Sequence, residues 1–568
     1  MNSLLENFTK RHRLHEAKAK SNILNGGCQH QAKDHGGSIE MMIRPVERLV
    51  IIGLGGVSES WLNSWFDRGL FPNLRGILRE SASGVLNCSR PSTSAAAWAS
   101  MLTGHTVSGH GVFDHECVAG RSQGVRSASH TSLLSNHLWQ ILSDLNHKVI
   151  SLQVPLTYSM NGVQGLVVGG SDSASRRPVW QGESATVRSL RQLVPDWSHR
   201  PVWKQRPSLT EELLARLNAF ENRLHDLERL ALRSTDLVKD WSVLCVNFQD
   251  LDGLLHRMWP EVDYDEQMPQ LRPDWLNPIQ NSLQQLDLVI GRLADLADRA
   301  QAGLMIVSDH GFGPCRSLVN VNGILRVHGI QRGRSLGGRL FNAGARLRDR
   351  ALRSLHDLWA GPNALPRLRP MQLMIPCDRS KSLAYAPFGR LAGLVYLTEK
   401  ARGQESKTDR ITQEISEILR LIADPDNGQA IFSEVIPVAQ RWGIDPVSCG
   451  WPEIIALPAE GYHPMARWDY LDKVRLLAQE PGLPGTHRPA GMISMKGAGL
   501  SADGPLRADV QDVAPTILKW LGQQGPSPDM AGRIISHNPE TSIYQPHIRP
   551  ISNKFFVDSG GNAQTSHH

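Results

Sequence analysis

Short apolar segments that end abruptly in polar residues or glycine punctuate this chain. The clearest covers residues 303–307 and is followed by Ser308, Asp309 and His310. A short apolar run bounded by turn residues is typical of a strand buried on both faces, as parallel strands are. Such sheets bind ligands at the carboxyl ends of their strands, which is where Asp309 and His310 fall. An ordinary strand-to-loop turn would also explain the pair.

Further strands and helices alternate along the chain. We predict strands near residues 48–53, 164–170 and 241–248, a helix, turn and strand over 138–153, and helices over 208–235, around Asp287 and over 509–521. This alternation predicts an α/β fold with a doubly wound, largely parallel central sheet flanked by helices.

A second pair of polar residues, Asp252 and His256, lies immediately beyond the predicted strand 241–248. Four residues apart, the two side chains share one face if the local chain is helical. A set of carboxylate and imidazole ligands fits Zn²⁺ and would tolerate Mn²⁺. Taken alone, these two residues are better explained as an ordinary surface pair.

The segment from Arg90 to Gly104 combines small residues with Trp98 and is predicted to enter a tightly packed helix with Thr93 or Ser94 near its N-cap. Helix capping is the usual role of a hydroxyl at such a position. A nucleophile would also suit this place, because backbone N–H groups and the helix dipole favour an incoming anion.

Composition limits the classes of partner and the location. A net charge of +6 over 568 residues is small and gives no reason to expect nucleic-acid binding. The seven cysteines form no Cys-x-x-Cys pair, which suits a reducing compartment. No apolar segment follows the basic residues near the start, and no apolar run approaches the length of a membrane span. We therefore expect a cytoplasmic protein without a transmembrane segment.

Changes in pattern predict five parts. They are a flexible N-terminal arm (1–43), a first core part (44–313), an inserted cap region (314–480), a last core part (481–536) and a polar tail (537–568). The insertion contains an arginine-rich stretch, 333–372. This stretch is either a solvated basic helix or a basic rim that attracts an anionic substrate or partner.

Six motifs together resemble the alkaline phosphatase superfamily, and in particular its type I phosphodiesterase/nucleotide pyrophosphatase branch. They occur in the family's order between about residues 48 and 535. They are Ser94 to Gly104, His110-Gly111, Asp252-x-x-x-His256, Ser308-Asp309-His310-Gly311, Gly485-x-His487-Arg-Pro-x-Gly491 and Asp512-Val-Ala-Pro-Thr516.

The resemblance implies a two-metal hydrolase of phosphate esters that acts on a small-molecule ester or a nucleotide. One Zn²⁺ would be held by Asp252, His256 and His487. The other would be held by Asp309, His310, the nucleophile oxygen and an aspartate at the end of the first strand. Ser94 would attack phosphorus and form a covalent phosphoserine, with Thr93 as the fallback nucleophile.

The chain departs from the family pattern in three places. Gly55 stands where the family has the first-strand aspartate, and Glu59 is the nearest acid downstream. Ser94 replaces the threonine common in this branch, and Ala96 replaces a proline. The missing aspartate predicts a weakened second metal site and an impaired hydrolase.

Two other interpretations remain open at this point. The chain could be a catalytically inactive family member that binds a phosphorylated ligand or a protein partner. The glycines at 53, 55 and 56 also resemble part of a dinucleotide-binding fingerprint. A nucleotide-binding oxidoreductase of that kind would leave the Asp and His motifs without a role.

Overall fold

The computed structural model describes residues 43–536, with gaps at 119–123, 159, 161, 171–178, 198–209, 263–272, 334–376, 390, 403–404, 467–473, 478–483, 500–501, 503–504 and 524–529. The predicted polar tail and all but one residue of the predicted arm lie outside the described residues. The arginine-rich stretch beyond Gly333 also lies outside them.

A nine-stranded mixed sheet forms the centre of the described fold. Its spatial order is Leu506–Asp509, Ala82–Asn87, Ala490–Lys496, Gly303–Val307, Leu49–Leu54, Trp241–Phe248, Lys148–Leu152, Gly165–Val168 and Trp180–Gly182. Parallel pairing joins the Leu49 strand to both of its neighbours. The Ala490 and Trp180 strands run antiparallel to the others. The predicted α/β class with a largely parallel sheet is confirmed.

Alternating side chains of the central strands feed two separate cores. From the Leu49 strand, Val50 and Ile52 enter the apolar cluster on one face, whereas Leu49 and Ile51 enter the cluster on the other. This period of two is what a strand covered on both faces requires, because successive side chains point to opposite sides.

Helices cover both faces of the sheet. The first face carries Glu59–Asp67, Pro72–Arg79, Ser184–Leu193, Thr210–Leu237, Asp250–Val262 and Pro273–Arg299. The second face carries Ser94–Thr103, Leu138–Asp144 and Val513–Trp520. The helix predicted over 509–521 is shorter than expected, because Val510–Asp512 is a 3₁₀ turn with a capping box between Asp509 and Asp512.

Two further sheets lie within the predicted insertion. One is four-stranded and antiparallel, in the order Ala384–Tyr385, Gly393–Leu397, Ile454–Pro458 and Phe432–Pro437. The other is three-stranded, in the order Tyr462–Met465, Ser317–Asn320 and Arg475–Leu477. The insertion also contains helices Val321–Val327, Glu405–Leu421, Val438–Trp442 and Pro446–Cys449. Its boundaries at 314 and 480 stay predictions.

Smaller elements complete the described chain. They are the helix Val107–His110, the 3₁₀ helix His130–Ser132, the pair Glu116–Val118 with Val125–Ser127, and the pair Gly311–Pro314 with Gly485–Arg488. Among the described helices, none combines the length and the apolar character that crossing a bilayer would require.

Candidate metal centre

Three adjacent parallel strands end at the same edge of the sheet and bring the predicted site residues together. The Trp241–Phe248 strand leads into the helix Asp250–Val262, whose first two turns carry Asp252 and His256. The Gly303–Val307 strand leads directly to Asp309 and His310. Between these two strands lies Leu49–Leu54, which ends at Gly55. The three chain segments that follow these strands therefore meet at one edge of the sheet.

His487 reaches the same edge from a distant part of the sequence. Its strand, Gly485–Arg488, pairs antiparallel with Gly311–Pro314, and His487 stands opposite Phe312 in the register. Glycine is required at 311, because a Cβ there would lie 2.1 Å from the carbonyl oxygen of Ala490. The His487 ring is stacked on the His310 ring, with centroids 3.5 Å apart.

Backbone carbonyls fix the orientation of the three imidazoles. His256 Nδ1 lies 2.9 Å from Gly485 O, His310 Nδ1 lies 3.0 Å from Gly311 O, and His487 Nδ1 lies 2.9 Å from Ser92 O. A carbonyl oxygen only accepts, so each Nδ1 carries the hydrogen and donates it. Each Nε2 is left with a lone pair directed away from its carbonyl partner.

The Nε2 lone pairs of His256 and His487 converge on one carboxylate. His487 Nε2 lies 2.9 Å from Asp252 Oδ1 and 3.2 Å from His256 Nε2, and the His256 Nε2 to Asp252 Oδ1 distance is 3.6 Å. Ligand atoms about 2.0–2.1 Å from a tetrahedral Zn²⁺ are roughly 3.3 Å apart from one another. The first donor group, Asp252, His256 and His487, therefore fits a divalent cation.

A second donor group adjoins the first through His310. Its Nε2 lies 3.8 Å from Asp252 Oδ1, 3.4 Å from Asp309 Oδ2 and 3.0 Å from the Ser94 hydroxyl oxygen. Asp252, His310 and His487 also form a cluster whose ligand atoms all lie within 4.8 Å of one another. We call Asp309, His310 and Ser94 the second donor group. It contains one carboxylate.

Gly55 lies beside Asp252, between the two donor groups' strands, and has no side chain. A Cβ built on it would lie 3.0 Å from Asp252 Cβ, so a carboxylate at this position would lie beside the clustered ligands. The next residue, Gly56, has a φ of +84°, and a Cβ there would meet Phe312 at 2.7 Å. Glycine is thus required at 56 for backbone reasons, whereas Gly55 lies beside Asp252 and offers no ligand atom.

Thr93 and Ser94, the two hydroxyls considered from sequence, have different surroundings. Thr93 is the N-cap of the helix Ser94–Thr103: its Oγ1 accepts from Ala96 N at 3.2 Å and donates to Phe113 O at 2.9 Å. Ser94 is the first helical residue, and its hydroxyl contacts His310 instead. Of these two hydroxyls, that of Ser94 contacts the donor cluster and that of Thr93 caps the helix.

Burial and neighbouring charge set the protonation of the cluster. Burial lowers the pKa of His487 to about 3, with the neighbouring His310 adding to the effect. Burial also lowers the pKa of His256. Burial alone would raise the pKa of Asp252, but the imidazoles of His256 and His487 outweigh it and hold that pKa below its usual value. Neutral imidazoles beside an ionised carboxylate are the protonation states that a bound cation needs.

Asp309 differs from Asp252 in this respect. Burial raises the pKa of Asp309, and its contacts with His310 and Ser94 only partly oppose that effect. The carboxylate of the second donor group thus has less compensation for its burial than the carboxylate of the first.

Two supporting residues, His463 and Ser308, were given no role from the sequence. His463 lies on the strand Tyr462–Met465, is almost fully buried, and has Nδ1 2.9 Å from Thr486 Oγ1, next to His487. Ser308 accepts from Val57 N at 2.8 Å and donates to His310 O at 2.7 Å, which ties two strand ends together. No motif marks His463, whereas Ser308 belongs to the quoted Ser-Asp-His-Gly.

Several solved structures resemble the described fold at low identity. Murine ectonucleotide pyrophosphatase/phosphodiesterase 5, an inactive variant in complex with AMP, is 11% identical over 84% of this chain and 96% of its own, with a TM-score of 0.46. Alkaline phosphatase PafA is 13% identical over 87% and 98%, with a TM-score of 0.49. Phosphonoacetate hydrolase from Sinorhizobium meliloti, in complex with phosphonoformate, is 14% identical over 80% and 90%, with a TM-score of 0.43.

The family is shown by the sequence itself. None of the curated proteins matches the chain. The family model described as type I phosphodiesterase/nucleotide pyrophosphatase matches residues 49–470, which include every predicted site residue except His487. That match covers well over half of the chain. Because it includes residues 53–56, a dinucleotide-binding fingerprint is not needed to account for their glycines. This protein belongs to the type I phosphodiesterase/nucleotide pyrophosphatase family.

Proposed function

We propose that the protein is a metal-dependent hydrolase of phosphate esters, of the phosphodiester or nucleotide pyrophosphate type, with Ser94 as its nucleophile. The observation that carries the proposal is the convergence of three Nε2 lone pairs and Asp252 Oδ1 beside the Ser94 hydroxyl. Family membership supports a hydrolase of this type.

The donor set supports the use of divalent cations. Asp252, His256 and His487 would hold one Zn²⁺, and Asp309, His310 and the Ser94 oxygen would hold a second. Mn²⁺ would also fit a set of nitrogen and oxygen ligands. Bound cations would supply the positive charge that favours ionisation of the serine hydroxyl and stabilises the leaving oxygen.

The residues of this chain then have separate roles. Ser94 lies in the first turn of a ten-residue helix, where backbone N–H groups and the helix dipole favour an anionic phosphate. Its oxygen would attack phosphorus and displace the alcohol or phosphate leaving group, which forms a phosphoserine. A water molecule would then open that ester and release phosphate or a phosphomonoester, and Ser94 would regain its proton.

One observation favours the alternative of an inactive family member. Gly55 offers no ligand atom where the resemblance implies a second carboxylate for the second donor group, so that Asp309 is the one carboxylate of this group. We propose that this weakens the second cation site and lowers turnover. If the loss abolishes turnover, the same cluster would still bind a phosphorylated ligand or a protein partner. The cytoplasmic location stays a prediction.

The test is hydrolysis of an aryl phosphodiester and an aryl phosphomonoester with added Zn²⁺ or Mn²⁺. We expect turnover by the native chain and by the control Ser433→Ala, which removes an exposed hydroxyl from the insertion. We expect none by Ser94→Ala. Acid quenching followed by peptide mass spectrometry should place a phosphoryl group on Ser94. A metal-loaded native protein that cleaves neither ester would overturn the proposal and favour the inactive alternative.

A further inference from the structure

The ring of Phe312 lies against the imidazoles of both donor groups. Its centroid is 4.9 Å from that of His256, 5.4 Å from that of His487 and 6.3 Å from that of His310. We propose that Phe312 is a positioning residue, whose ring holds the tilt of the His256 and His487 imidazoles and thereby the direction of their Nε2 lone pairs. This inference rests on the proposed function and adds a residue that contacts the ligands without being one.

A hydrogen bond to a carbonyl does not by itself fix the plane of an imidazole. His256 is held at Nδ1 by Gly485 O. His487 is held at Nδ1 by Ser92 O. Because a carbonyl oxygen accepts over a broad range of directions, a ring held in this way can still tilt, and the tilt decides where Nε2 points. A second contact is needed, and an aromatic ring that meets the imidazole at a preferred angle provides one.

Phe312 meets the two imidazoles of the first donor group at different angles. Its ring stands edge to face against His256, with an interplanar angle of 75°, and is tilted by 53° against His487. The two imidazoles are themselves stacked, with centroids 5.0 Å apart and an interplanar angle of 25°. Each of the three rings therefore contacts the other two, and a change in the tilt of either imidazole would disturb its packing against Phe312.

The surrounding chain leaves room for this ring. A Cβ at Gly56 would lie 2.7 Å from Phe312 Cδ2, and a Cβ at Gly485 would lie 2.5 Å from Phe312 Cε1. Two glycines from different chain segments thus border the ring. Trp259, from the helix that carries His256, packs against it with ring centroids 5.4 Å apart. Phe312 is 3% exposed, so packing against the core fixes its position.

Loss of the ring should affect the first donor group more than the second. His256 and His487 both belong to the first group and lie closer to Phe312 than His310 does. His310 also has a separate contact, because its Nε2 lies 3.0 Å from the Ser94 hydroxyl oxygen. The proposal therefore predicts a weaker first cation site when the ring is removed.

Cation binding provides the main test. Phe312→Leu removes the ring, and Phe71→Leu is the matched control, because Phe71 is buried in the same core and is stacked on Trp65. We expect Phe312→Leu to lower the affinity for the first Co²⁺ by about tenfold or more, measured by competition with a chelating dye. Its visible Co²⁺ spectrum should also change, since that spectrum depends on ligand geometry. Phe71→Leu should change neither, although both variants lose stability in urea.

Phe312→Met provides a second variant that fills the space better than leucine. It keeps the site apolar and lacks a flat ring, so we expect it to fold and still to lower the affinity for the first Co²⁺. A native affinity and a native Co²⁺ spectrum in either variant at position 312 would overturn the inference.

A measurement on the chelated protein separates this inference from the proposed function. In NMR spectra of nitrogen-labelled histidine, the Nδ1–H protons of His256 and His487 should exchange with water at least about tenfold faster in Phe312→Leu than in the native chain or Phe71→Leu. Faster exchange in a protein that binds no cation would keep the positioning role and remove the metal-dependent hydrolase. Unchanged exchange and binding in a protein that hydrolyses esters would keep the hydrolase and remove the positioning role.

Discussion

The two donor groups of the centre lie side by side and differ in ligand type: the first has one carboxylate and two imidazoles, whereas the second has one carboxylate, one imidazole and a serine hydroxyl. The first group, Asp252, His256 and His487, has three ligand atoms separated by 2.9–3.6 Å and imidazoles anchored by carbonyls. The second group, Asp309, His310 and Ser94, has comparable separations of 3.0 and 3.4 Å from His310 Nε2. Position 55, where the resemblance to the family implies a further acidic ligand, carries no side chain here.

The comparison shows that the backbone of a site can be present while a charged side chain that would complete it is absent. The backbone around Gly55 still follows the sheet register, with its strand paired on both sides. The side-chain carboxylate, which would offset part of the charge of a second cation, is absent. Asp252 and Asp309 together supply two negative charges, which balance one divalent cation and not two.

The largest effect is expected from damage to the first donor group. His487→Ala removes one of its three ligand atoms and should lower retained metal and reduce turnover by about 100-fold or more. Metal content by mass spectrometry and steady-state kinetics give the result. His225→Ala, on an exposed part of the helix Thr210–Leu237, is the control and should change neither. Unchanged metal content in His487→Ala would remove His487 from the ligand set.

A gain is expected from repair of the second group. Gly55→Asp should raise the cation content toward two per chain and increase turnover by roughly 10-fold or more. Its Cβ would approach Asp252 Cβ to 3.0 Å, so the two carboxylates should destabilise the chelated protein and stabilise the loaded one. Gly76→Asp, where a Cβ meets nothing within 4 Å, is the matched control. If Gly55→Asp still retained one cation per chain, the missing carboxylate at position 55 would not be what limits cation binding by the second donor group.

Acid should destabilise the fold through a histidine outside both groups. Burial lowers the pKa of His110 to about 3, and its Nε2 lies 2.9 Å from the Ser100 hydroxyl. The unfolded chain, with an ordinary pKa near 6.5, binds the proton first as the pH falls. The stability that neutral His110 provides is therefore complete above about pH 6.5 and is lost toward pH 3, by up to about 1.4 kcal/mol per pH unit.

Urea unfolding at several pH values, in the presence of a chelator, measures that slope without interference from metal release. His110→Asn should give a shallower decline between pH 6.5 and 4 than the native chain. An identical decline in the two proteins would assign the acid sensitivity to other groups.

The smallest effect separates the two neighbouring hydroxyls. Thr93→Ala removes the cap that accepts from Ala96 N and should lower the free energy of unfolding by about 1–2 kcal/mol. Ser94→Ala removes no cap and should cost less stability. Urea denaturation compares the two variants, and equal losses would contradict the assignment of the cap to Thr93.

Much of the fold could be predicted from the sequence, because the strands are continuous apolar runs with polar ends. The segment 241–248 and the segment 303–307 are strands with those bounds. The antiparallel strands Trp180–Gly182 and Ala490–Lys496 were not predicted as such, since pairing direction depends on the path of the chain and not on local composition. The four-stranded sheet of the insertion was missed for a similar reason, as no motif marks its strands.

The sequence by itself determined which residues meet at the strand ends, because spacing and burial place Asp252, Asp309 and His310 at one edge of a parallel sheet. Only the tertiary structure decided how they face one another. The orientation of His487 depends on a hydrogen bond to Ser92 O, 395 positions away. The buried His463 belongs to no sequence motif, and only the folded chain brings it into contact with Thr486. In His256 and His487 the direction of the Nε2 lone pair is set by such long-range backbone contacts, which no local sequence pattern records.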